Sequence, residues 1–80
     1  MNIEEIIELI KESACEVIPE LEKTHITMED SLENLGANSM ERADITMLVL
    51  ERMNLRIPLI ETLGPTNIGE LAGLLNEKSV

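Results

Sequence analysis

A chain of 80 residues has the size of one small domain, and with 44% hydrophobic residues but no Phe, Tyr or Trp its core must be built from Ile, Leu, Val, Met and Ala. That palette suits packed helices. Sixteen acidic residues against six basic ones give a formal net charge of −10, which argues against nucleic acid and anionic membranes as partners and favours docking onto basic patches of other proteins.

The first element is an amphipathic helix. Asn2 followed by Glu5 is a capping pattern, and Ile3, Ile6, Ile7, Ile10, Ala14 and Val17 recur at helical spacing, with Glu4, Glu5, Glu8, Lys11 and Glu12 facing water. Pro19 disfavours helical geometry at Ile18, so this helix should end near Val17. Cys15, the sole cysteine, excludes an intrachain disulfide and reads as a small packed thiol beside Ala14. Glu4 and Glu5 stand where a secretory leader would be basic, and no run of about 18 apolar residues occurs, so a cytoplasmic location is expected.

Pro19 to Asn38 is too long for an ordinary connection and should hold local structure. Thr27 is placed to cap a short helical segment and Gly36 to end it, with Met28, Leu32 and Leu35 pinning the loop to the core. A second helix is expected from Asn38 or Ser39 to about Asn54, burying Met40, Ala43, Met47, Leu50 and Leu48. Ile57-Pro58 breaks it off, Leu59 to Leu63 form a short turn or helix, and Gly64-Pro65 is a turn signal. Asn67 and Glu70 repeat the capping pattern before a last helix with Ile68, Leu71, Ala72 and Leu75 inside. The fold class is therefore all-α, three principal helices and one short one with a long first loop, in a single domain covering residues 1–80.

Enzyme chemistry is poorly provided for. His25, the sole histidine, lies in the loop with no Ser or Cys partner at a recognisable spacing, and it reads as solvent-exposed. The glycines are too scattered for a phosphate loop. Glu29, Asp30 and Glu33 fail as a calcium loop, because a start at Asp30 puts Leu32 at a ligand position and Leu35 where the turn glycine belongs, so no metal is expected. Ser39 stands out by position, at the point where Gly36-Ala37-Asn38 opens into the second helix. Two readings are open there: a plain helix cap, or a phosphate ester set against free amides and the positive end of the helix dipole.

Leu35-Gly36-Ala37-Asn38-Ser39-Met40 resembles the phosphopantetheine attachment motif of acyl carrier proteins, commonly written L-G-x-D-S-L. The likeness extends to Met53-Asn54-Leu55-Arg56-Ile57-Pro58, which matches a hydrophobic-x-x-x-Ile-Pro segment, and to the order of helices over nearly the whole chain. Asn38 stands where the family usually has Asp, which keeps the capping capacity and removes a charge, and Met40 replaces Leu at similar volume. The resemblance implies a non-enzymatic carrier with an acyl-carrier-like bundle. Ser39, flanked by Asn38 and Met40, would receive 4'-phosphopantetheine from coenzyme A through a separate phosphopantetheinyl transferase.

A narrower resemblance is to the stand-alone donor carriers of polyketide β-branching cassettes. It rests on Arg42-Ala43-Asp44-Ile45, Ile57-Pro58-Leu59-Ile60-Glu61 and Asn67-Ile68-Gly69-Glu70-Leu71-Ala72. Arg42 and Arg52 interrupt the acids Glu41, Asp44 and Glu51, which suggests a partner surface of mixed charge, unless both arginines only pair with acids on their own helix. This likeness implies a monomer loaded with malonyl by an acyltransferase, decarboxylated to acetyl by a ketosynthase-like partner, and presented to an HMG-CoA-synthase-like enzyme. The alternatives are a general fatty-acid or polyketide carrier, and an acidic helical interaction module whose Ser39 stays bare.

Overall fold

Asparagine starts each of the principal helices, in a computed structural model that describes residues 1–79. Helix α1 spans Ile3–Val17, α2 spans Ser39–Arg52 and α3 spans Ile68–Lys78, with 3₁₀ helices at Pro19–Lys23 and Leu59–Thr62 and no strand among the described residues. Asn2 accepts from the Glu5 amide at 2.8 Å while the Glu5 carboxylate takes the Asn2 amide at 3.0 Å. The same reciprocal box joins Asn38 and Glu41 at α2. At α3 it is split: Asn67 accepts from the Glu70 amide at 2.8 Å, but the Glu70 carboxylate turns to the amide and hydroxyl of Thr66, each at 3.0 Å. Those bonds, the backbone one first, hold the Glu70 carboxyl below the usual glutamate range.

Helix α1 packs against both α2 and α3. Ile6, Ile10 and Ala14 of α1, Ile45, Val49 and Leu50 of α2, and Ile68, Leu71, Ala72 and Leu75 of α3 form the aromatic-free core. Burying an Ile or Leu side chain of this kind favours folding by about 1.5–3 kcal/mol. On α1 the expected stripe holds at Ile6, Ile10 and Ala14, and half holds at Ile7 and Val17, but Ile3 is exposed at the open end of the bundle. Ser13 takes a fully buried place on the same face. Its hydroxyl donates to the Leu9 carbonyl at 2.7 Å and accepts from Arg52 Nη1 at 3.2 Å, so its burial leaves no polar atom unpaired.

Helix α2 is turned relative to the expectation. Its buried residues are Ile45, Thr46, Val49 and Leu50, whereas Met40 is 76% and Met47 54% exposed, and Ala43 and Leu48 are half-buried. The physical reason is that Met47-Leu48-Val49-Leu50 points around the whole helix, so the run carries no phase, and the β-branched Ile45 and Val49 are the fully buried residues on the side packed against α1. The helix also stops at Arg52, earlier than expected. Asn54 takes φ 54° and the amides of Asn54 and Leu55 return to the carbonyls of Glu51 and Leu50.

The long loop differs from its expected form in two ways. Pro19 ends α1 as anticipated but also opens the first 3₁₀ helix, where its fixed φ suits the first turn and Leu21 is buried. The expected segment from Thr27 is reduced to one turn over residues 31–35, closed by Leu35 N–H to Ser31 and started by the Ser31 hydroxyl, which accepts from the Asn34 amide at 2.9 Å. Thr27 is not its cap, because its amide and hydroxyl both donate to Asp30. Gly36 does end the turn, at φ 98°, with the Gly36 and Ala37 amides bonded back to Glu33 and Leu32. Ile26 and Ala37 are the buried anchors, Leu32 and Leu35 pack partly against the core, and Met28 is exposed.

The loop is fastened to α3 through its backbone. The carbonyls of Asp30 and Met28 accept the first amides of α3, Ile68 N–H at 2.9 Å and Gly69 N–H at 2.8 Å. A side chain at position 69 would meet this strap, since a Cβ there would lie 3.1 Å from Met28 Cε and 3.2 Å from its carbonyl oxygen. At Gly73 the same atom would meet nothing within 4 Å.

Gly73→Ala is therefore expected to raise stability by about 0.5–1 kcal/mol through helix propensity. Gly69→Ala should lower it by about 1 kcal/mol, because crowding of the strap outweighs the same gain. Urea unfolding of the two variants checks the opposite signs. Asn38→Ala, which removes the side-chain acceptor of the α2 capping box and leaves the Glu41 amide without it, should cost about 1 kcal/mol in the same measurement.

Candidate functional site

The site is built where the Gly36 turn feeds α2. Because Asn38 is the cap, Ser39 is the first residue inside the helix, and its exposed hydroxyl takes no hydrogen bond among the described residues. Of the two readings open from the sequence, the plain cap is filled by Asn38 and not by Ser39. The amide of Glu41 goes to Asn38 Oδ1 at 2.8 Å and that of Arg42 to the Asn38 carbonyl at 2.9 Å. The amides of Ser39 and Met40 lie at the open helix end with no backbone partner among the described residues.

Ser39 stands on the rim of a groove of about 460 Å³ between α2, the second 3₁₀ helix and the start of α3. Its walls mix apolar side chains such as Leu59, Ile68 and Leu71 with the hydroxyls of Thr46 and Thr62. Thr62 donates to the Leu59 carbonyl at 2.6 Å, which tightens the 3₁₀ wall. Lys78 anchors that wall to the far end of α3 through Glu61 at 2.9 Å, and this bond raises the Lys78 amine above its ordinary value. No local pattern signals the groove, since its walls come from four separate segments.

The remaining residues marked in the sequence divide by what they touch. Glu41 is held in the capping box. Arg42 donates through Nη1 to the Ala37 carbonyl at 2.8 Å and lies 3.7 Å from Glu33. Arg52 reaches across to Ser13 and Glu16 of α1. Neither arginine pairs with an acid of its own helix; each ties α2 to another segment. Asp44 and Glu51 are exposed, and with Met40 and Met47 they share one stripe at positions 40, 44, 47 and 51.

Other candidate chemistry stays apart. His25 is exposed on the loop. Cys15 packs partly against the core, where burial, with a smaller effect from Glu22, pushes its thiol up and keeps it protonated. Among the described residues no three His, Cys, Asp or Glu side chains gather in a metal-binding arrangement, and no helix is long and apolar enough to cross a membrane.

No protein-family model matches the sequence. The polyketide biosynthesis acyl-carrier-protein AcpK of Bacillus subtilis (strain 168) is 46% identical over 78 residues, covering 98% of this chain and 95% of that one. Among solved structures, a chain of the crystal structure of the curacin biosynthetic pathway HMG synthase in complex with acetyl donor-ACP superposes with a TM-score of 0.93 at 45% identity, over 98% of this chain and 100% of that chain. An asparagine-capped helix entrance that leaves a serine free, in an all-α bundle with these relatives, has one consistent assignment: the chain belongs to the acyl carrier proteins of polyketide biosynthesis.

Proposed function

We propose that Ser39 carries 4'-phosphopantetheine and that the loaded protein is the donor that delivers acetyl to an HMG-CoA-synthase-like enzyme in polyketide β-branching. The observation that carries the reading is the division of labour at the α2 entrance: Asn38 does the capping, and the exposed Ser39 hydroxyl beside it is left without a partner. The residues present fit the group, since Ser39 sits at a groove mouth and the unpaired amides of Ser39 and Met40 favour negative charge there. When bound, the group supplies a terminal thiol that holds acyl units as thioesters. This chain's own part is to present the hydroxyl, to keep the helix end intact while it is esterified, and to offer a docking face. In this reading the transferase supplies the base; among the described residues no histidine lines the groove.

The assignment of the partner draws support from the solved donor-ACP complex to which this fold is similar. The docking face is the stripe of Met40, Asp44, Met47 and Glu51, apolar side chains flanked by acids that suit a partner with an apolar cleft and basic rim. Arg42 and Arg52, already engaged within the bundle, are less free to contribute. A malonyl-specific acyltransferase and a decarboxylating ketosynthase upstream, and a cytoplasmic location beside them, complete the reading.

Treatment with coenzyme A and a broad-range transferase is expected to add one phosphopantetheine to the intact mass, and Ser39→Ala to abolish the gain while leaving the helical circular-dichroism signal in place. An unmodified wild-type protein would leave only the interaction-module reading. For the partner, Met47→Ala in the acetyl-loaded protein should weaken binding to an HMG-CoA-synthase-like enzyme about tenfold. Equal acceptance of the loaded carrier by that enzyme and by a fatty-acid ketosynthase would remove the donor assignment.

A further inference from the structure

Arg42 is held in a place that neither capping nor core packing requires. It sits one turn after Ser39, at the i, i+3 spacing where side chains share a face. It lines the same groove as Ser39 and is the one basic residue among the described residues that line it. Its side chain is 36% exposed, so the guanidinium is neither buried nor loose. The Ala37 carbonyl takes one of its N–H groups at 2.8 Å, and Glu33 at 3.7 Å lies beyond normal hydrogen-bond length. A guanidinium has five donors in a rigid fork, so the Ala37 bond leaves the others without a hydrogen-bond partner among the described residues.

The electrostatic setting gives those donors a use. At a net charge of −10, an anion fixed at Ser39 is repelled by the protein as a whole, with Glu33 and Glu41 close by on the loop and the first turn of α2. A cation pinned by a carbonyl at the same rim offsets that repulsion without having to be ordered first.

Resting on the reading of Ser39 as the attachment site, we propose that Arg42 is a positioning residue that grips the phosphodiester at the root of the arm through the donors that Ala37 leaves free. The root of the arm is thereby fixed against the groove wall. The terminal carboxylate of a malonyl group shares the anionic chemistry, but it lies at the far end of a long flexible chain, whereas the phosphodiester is joined to a side chain one turn away.

The test compares apo, phosphopantetheinylated and malonyl-loaded forms of the wild type, Arg42→Gln and Arg42→Lys, with intact mass showing that the arm is present. Attachment of the arm should lower the melting temperature of Arg42→Gln by about 3 °C or more relative to its effect on wild type, with Arg42→Lys recovering most of the difference. The Arg42 Nε–H resonance of the wild-type protein, which needs no variant, should shift when the arm is attached and not shift further on malonylation. Equal destabilisation of the apo and armed forms by Arg42→Gln, with an unmoved Nε–H signal, would reduce Arg42 to a tie for Ala37 and overturn the proposal. A shift that appears only on malonylation would overturn it in favour of the carboxylate. A wild-type protein that gains no mass would instead bring down the Ser39 reading, and this proposal with it.

Discussion

Two hydrogen bonds between Asn38 and Glu41 decide what Ser39 is available for. A helix entrance needs a side-chain acceptor for its free amides, and serine is among the residues that serve best. Were Ser39 the cap, its hydroxyl would be turned back onto the helix and occupied. With asparagine one position earlier, the helix is stabilised by a neighbour and the hydroxyl stands free at the positive end of the dipole. Asparagine performs this role with its amide oxygen as an aspartate would with its carboxylate, and without adding to a chain already rich in negative charge.

That entrance must be held in place, and the holding is done mostly by backbone. Gly36 reverses the chain at a positive φ that other residues adopt at a cost, the carbonyls of Met28 and Asp30 cap α3, and Arg42 clasps the Ala37 carbonyl from inside α2. A loop fastened by carbonyls depends little on which side chains it carries, provided that Gly69 leaves room for the strap. The groove beside Ser39 follows from the same arrangement, because its walls are the strapped loop, α2, the second 3₁₀ helix and the first turn of α3.

Charge is sorted along with packing. Arg42 and Arg52 reach across to other segments, while Asp44 and Glu51 face water beside Met40 and Met47. The exposed stripe of α2 is thus apolar and acidic, although the sequence of that helix contains both signs. In the proposed function a partner meets the acids and the methionines, while the arginines tie α2 to other segments.

Local chemistry was enough to read the capping residues Asn2 and Asn67, the stop at Pro19, the reversal at Gly36 and the buried faces of α1 and α3, because each follows from interactions within a few residues of the same chain segment. The motif around Ser39 was legible only through its resemblance to acyl carrier proteins, since local interactions left both a plain cap and a phosphate ester open there. Local pattern could not decide which face of α2 is buried, since apolar residues point in several directions there, and it misplaced Met40 and Met47. Nor could it show that Ser31 and not Thr27 starts the loop's turn, that Ile26 and Ala37 anchor it, or that Arg52 crosses to Ser13. Those outcomes depend on partners distant in sequence, whose shape and unpaired polar groups choose among locally equivalent arrangements only once the helices have packed.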